Sequence, residues 1–99
     1  MSENPLKVLE TLDPELLKVV ENTRELALSE GTLPRKYKFL IAMALDAAHG
    51  AERGVANLSQ AAMHAGASKE EVAEALRIAY FIDGVGTVYT AARGLTGLL

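Results

Sequence analysis

Apolar residues recur along this chain at spacings of three and four, and glycines and prolines break the pattern into about six stretches that predict helices. A short first helix over about Pro5 to Leu12 precedes Asp13-Pro14-Glu15, which supplies an N-cap, a proline at the first helical position and an acid in the first turn. The helix that begins there sets Leu16, Leu17, Val20 and Ala27 on one face, with Glu15, Lys18, Glu21, Arg24 and Glu25 around the rest, and Gly31 is expected to end it. Helix three, from Pro34, carries Tyr37, Leu40, Ile41, Ala44, Leu45 and Ala48 at helical spacing, with Ala42, Met43 and Ala47 opposite. A helix apolar nearly all round belongs at the centre of a fold or in an interface. After Gly50, a narrow stripe of Ala51, Val55, Leu58, Ala62 and Ala65 predicts a fourth helix packed closely on its neighbours, ending at Gly66. Ser68-Lys69-Glu70-Glu71 reads as a capping box opening helix five, with Val72, Ala75, Leu76, Ala79 and Ile82 inward. Gly84 and Gly86 lead into a sixth helix bearing Val88, Tyr89, Ala92 and Leu95.

Composition agrees with this reading. The 16 alanines and 15 leucines far outnumber the ten valines and isoleucines together, which favours an all-α fold over sheet. A chain of 99 residues is one domain, 1–99, of a size that buries about 60–65% of its unfolded surface. With 49% of residues hydrophobic, part of the apolar surplus is expected in a subunit interface. The net charge of −3 lacks the basic excess that nucleic-acid binding requires. The longest strongly apolar run, Phe39 to Leu45, has seven residues against the roughly 20 of a membrane span. Met-Ser-Glu-Asn-Pro has no secretory pattern, so a cytoplasmic protein without nucleic-acid or membrane partners is expected. The absence of cysteine excludes disulfides, thiolate metal sites and any mechanism using the chain's own thiols. No cofactor or metal is expected.

Three groups could carry chemistry. His49 follows Asp46 by three residues and precedes Glu52 and Arg53 by three and four, so a continuous helix would gather all four on one face. The competing reading is that His49 and Gly50 simply terminate helix three, as His64 terminates helix four ahead of Gly66. Asp83 is the only charge between Arg77 and Arg93, either a functional acid in apolar surroundings or the N-cap of the last helix. Arg35, Lys36 and Lys38 place positive charge at the start of helix three, where it opposes the helix dipole. They form either a solvated face or a patch for an anionic ligand or acidic partner.

The stretch Leu33-Pro34-Arg35-Lys36-Tyr37-Lys38-Phe39-Leu40-Ile41-Ala42-Met43-Ala44, then His49-Gly50, then the segment from Gln60 to Leu76 with its Ala65-Gly66-Ala67-Ser68-Lys69-Glu70-Glu71-Val72 joint, resembles the carboxymuconolactone decarboxylase and alkylhydroperoxidase D-like family. The likeness runs from about Leu33 to Ala92. It implies an all-α domain assembling as a homotrimer or homohexamer. The redox branch uses an acid on helix three, a Cys-x-x-Cys pair at the start of the next helix, and a histidine four residues further on. Such an arrangement shuttles protons to a thiolate whose pKa the helix N-terminus lowers. On this sequence these positions fall on Phe39, Ala51, Gly54 and Leu58. The histidine of the decarboxylase branch also falls on Leu58. Neither chemistry carries over, and the site is expected to have become apolar.

Three readings follow. One is an oligomer that binds a small molecule in an apolar pocket near helices three and four, with His49, Glu52 or Asp83 as candidate acid or base groups. Another is an enzyme of peroxide detoxification or lactone decarboxylation using non-standard residues. The last is a structural or interaction protein that employs the Arg35 to Lys38 patch.

Overall fold

A computed structural model describes residues 4–99, and among these the chain is helical without strands. A 3-10 turn, Pro5–Val8, leads into α1 (Leu9–Leu12), α2 (Pro14–Leu28), α3 (Arg35–Ala48), α4 (Glu52–His64), α5 (Lys69–Asp83) and α6 (Gly86–Leu95). None of these helices is long and apolar enough to cross a membrane. The expected starts of α2 and α5 are present: the Asp13 carboxylate accepts the Leu16 amide at 3.0 Å, and Ser68 and Glu71 form a reciprocal capping box. α2 ends at Leu28 rather than Gly31, because Ser29 turns extended and its carbonyl is taken by Lys38 Nζ at 2.7 Å.

α3 is the central element, touching α2, α4, α5 and α6. Its Phe39, Leu40, Met43 and Ala47 join Val55 and Ala62 of α4, Ala67, Val72 of α5 and Ala91 of α6 in one core. The opposite row, Tyr37, Ile41 and Leu45, stays exposed. Helix three is therefore central, as its pattern predicts, yet one of its apolar rows is uncovered within a single chain.

One helix turns a different face inward from the one its apolar residues suggest. In α6 the buried residues are Thr87, Thr90 and Ala91, while Val88 and Tyr89 are exposed. Close approach explains this. A β-carbon at Gly94 would stand 2.7 Å from the Glu52 carbonyl oxygen and 2.9 Å from Val55 Cβ, so only small side chains fit between α4 and α6. In α5, Val72 and Ala79 are buried, but Ile82 is 76% exposed. α2 has no buried residue at all, and Leu16, Val19 and Leu26 face outward. In α4, Ser59 shares the buried face with Val55 and Ala62, while Ala65, expected in that stripe, is exposed.

Candidate functional site

The junction between α3 and α4 holds three of the four relay-equivalent positions close in sequence. His49 occupies the C-cap of α3, and Gly50 follows with φ of 78°, a left-handed conformation that suits glycine. The Gly50 amide donates to the Ala47 carbonyl at 3.3 Å and the Ala51 amide to that of Asp46 at 2.8 Å, the two bonds of a Schellman motif. The helix therefore stops here, and His49, Glu52 and Arg53 do not lie along one continuous helical face. Glu52 turns instead to α6, where its carboxylate accepts from Arg93 Nε at 2.8 Å.

Ala51 is the N-cap residue of α4, the place from which a side chain would meet the positive end of the helix dipole. Its methyl group offers no proton or electron. Phe39 is buried in the core, and Leu58 packs against the same core from α4. Gly54 lies beneath the side chain of Asp46, whose carboxylate occupies the space that a β-carbon at residue 54 would take.

The cations at the start of α3 each have work within the chain. Arg35 sits over the Phe39 ring, 5.3 Å from its centroid, and Lys38 closes the end of α2 through the Ser29 carbonyl. Lys36 reaches α5, with Nζ 3.1 Å from Glu71 Oε2. Glu71 also accepts the Ser68 amide at 2.9 Å. That backbone bond, followed by Lys36, holds the Glu71 carboxyl below its ordinary value, and the hydrogen bond that Lys36 donates to Glu71 holds the ammonium above its own. These three contacts account for positive charge at a helix end where the dipole disfavours it.

Beside the Lys36–Glu71 tie, a groove of about 760 Å³ runs between α3 and α5. Tyr37, Ile41 and Leu45 form one wall, Ile78 and Ile82 the other, and Leu40, Ala44, Ala48, Ala75 and Ala79 its floor. The alanines give it depth, since their methyl groups leave the space between the longer ridges open. His49, Glu71, Glu74 and Asp83 line it too, His49 just beyond the end of α3 and Asp83 as the last residue of α5. Asp83 is the last residue of α5 and accepts the Thr87 hydroxyl at 3.4 Å; the cap of α6 falls to Val85 instead. Both His49 and Asp83 are exposed. His64, also exposed, lies apart in a shallow depression with Gln60, Met63 and Leu98.

A family model, Carboxymuconolactone decarboxylase family, matches residues 14–96, nearly the whole described chain. The chain belongs to the carboxymuconolactone decarboxylase family. No curated protein and no solved structure matches it. The match extends further towards the N-terminus than the likeness from Leu33, taking in α2.

For a carboxymuconolactone decarboxylase family chain, the geometry divides the candidate residues into two places. Phe39, Ala51, Gly54 and Leu58 belong to the α3–α4 side, where Phe39 and Leu58 serve the core and Gly54 serves close packing. His49 and Asp83 belong to the α3–α5 groove, and Glu52 to an ion pair with α6. The groove itself escaped the sequence reading. Its signal was present in the row Tyr37, Ile41, Leu45, but that row reads equally well as core until the neighbouring helices are placed.

Proposed function

We propose that this chain is a family member without the thiol relay that binds a small, largely apolar molecule in the groove between α3 and α5, working as a homo-oligomer. The observation that carries the reading is the groove's construction: largely apolar walls over a floor of alanines and Leu40, with His49, Glu71, Glu74 and Asp83 as its polar lining. A ligand with an apolar body and one hydrogen-bonding end matches that distribution. His49 and Asp83 are the groups that would orient the polar end, whereas Glu52 is occupied by Arg93. Retained scaffold together with a relay replaced by Phe39, Ala51, Gly54 and Leu58 supports binding over peroxide or decarboxylase chemistry. The patch reading loses its motive, because Arg35, Lys36 and Lys38 all have contacts inside the chain.

The test is a thermal-shift and calorimetric screen of small aromatic carboxylic acids and lactones against the intact chain and the Ala44→Trp variant. Binding to the folded state raises the melting temperature with ligand concentration. A stabilising compound that loses its effect when tryptophan fills the groove supports the proposal. Equal stabilisation of both proteins places binding elsewhere and contradicts it.

A further inference from the structure

The apolar surface left open by the single chain is not scattered. Phe81 is 82% exposed, Ile82 76%, Val85 61% and Tyr89 62%, and these residues follow one another around the turn from α5 into α6. Between Arg77 and Arg93 the only charged side chain is Asp83. Monomers rarely present so many large apolar side chains together, and apolar faces depleted of charge are typical of permanent homo-oligomeric contacts.

Surface area points the same way. The chain exposes 7095 Å². A folded monomer of its mass is expected to expose about 5,500 Å². The surplus of about 1,600 Å² exceeds the roughly 800 Å² that one partner contributes to a standard-sized interface. The radius of gyration, 14.2 Å, likewise exceeds the roughly 12.6 Å of a compact chain this long. Exposed apolar residues stand on the outer row of α2 (Leu16, Val19, Leu26) and at the α5–α6 turn.

We infer that the α5–α6 face, centred on Phe81, Ile82, Val85 and Tyr89, is an interface with a second copy of this chain, and that the second copy closes the open side of the α3–α5 groove. Ile82 belongs to both surfaces, lining the groove while standing in the exposed face, and Ile78 continues the shared edge at 68% exposure. A subunit seated there adds a wall that a single chain lacks. The inference rests on the oligomeric, groove-binding reading above and names the surface that completes it.

The cysteine-free chain permits a direct test. Single variants Phe81→Cys and Glu70→Cys are reacted with a thiol reagent in excess, and the mass of the assembly is followed by sedimentation velocity alongside Phe81→Asp. The inference expects an oligomeric parent, a Phe81→Cys thiol at least tenfold slower to react than Glu70→Cys, and protection that fades on dilution. It also expects Phe81→Asp to give a smaller assembly with unchanged helical circular dichroism and at least tenfold weaker binding of whichever screening compound the parent takes. A parent that is monomeric at tens of micromolar overturns the inference and the oligomeric part of the proposed function together. An oligomeric parent whose Phe81→Cys reacts as fast as Glu70→Cys overturns the inference alone, leaving the groove reading intact.

Discussion

The carboxylate of Asp46 on α3 stands where a β-carbon of residue 54 on α4 would be, so the glycine at 54 and the acid at 46 exist as a pair. By the family resemblance, Gly54 falls where the redox branch carries its second cysteine, and a side chain there requires Asp46 to move.

Gly54→Ala is therefore expected to cost no more than about 1 kcal/mol, because the obstacle is the end of the Asp46 side chain, which can turn aside, and alanine's ~1 kcal/mol gain over glycine within a helix offsets part of the overpacking. In an Asp46→Ala background the sign reverses, and Asp46→Ala/Gly54→Ala is more stable than Asp46→Ala. Chemical denaturation of the four proteins measures the coupling. Additive effects would show that the two residues do not share the space.

Gly94→Ala meets a harder obstacle, because the atoms in its way are the Glu52 carbonyl oxygen and the Val55 Cβ rather than the end of a side chain. A loss of about 1–3 kcal/mol is expected. No single side-chain truncation at 52 should relieve it, since the nearest atom is backbone. Denaturation of Gly94→Ala with and without Glu52→Ala distinguishes this from loss of the Arg93 ion pair.

Buried Ser59 has no hydrogen-bond partner for its hydroxyl among the described residues. An unsatisfied buried hydroxyl is costly, and alanine removes it while also favouring the helix. Ser59→Ala is expected to raise stability by up to about 1 kcal/mol in a denaturation experiment. A loss of 1 kcal/mol or more would mean that the hydroxyl is satisfied.

The Lys36–Glu71 tie predicts a pH dependence of definite sign. Glu71 has its carboxyl held low in the folded state, so its stabilisation is present above the ordinary glutamate range and disappears as pH falls through that range towards the lowered value. Lys36 is held high, and its share persists up to the ordinary lysine range and is lost only as pH rises beyond it. Urea midpoints between pH 3 and 7 should fall more steeply for the parent than for Glu71→Gln, while Ser68→Ala costs about 1 kcal/mol at neutral pH. Parallel pH curves for parent and Glu71→Gln would contradict the assignment.

Much of the fold was legible because its signals are local. Asp13-Pro14 and Ser68 to Glu71 mark helix starts by side chains that bond amides three residues away, and both act as read. The candidate site was less legible because its determinants are distant in sequence. Glu52 turned to Arg93, 41 residues on, although nearer residues suggested His49 as its neighbour. Lys36 found Glu71 35 residues away, a partner that no helical spacing indicates. The phase of α6 depended on Gly94 closing against a backbone carbonyl, so its apolar Val88 and Tyr89 could not report which face was inward.

The central claim, that the functional surface of this chain lies between α3 and α5 and not at the former relay positions, is tested most directly by amide NMR of the intact assembly titrated with a compound that raises its melting temperature. The account predicts shifts clustered at Tyr37 to His49 and Glu71 to Asp83, saturating together and absent in Ala44→Trp. Shifts centred on Ala51, Gly54 and Leu58, with α5 unaffected, would contradict it.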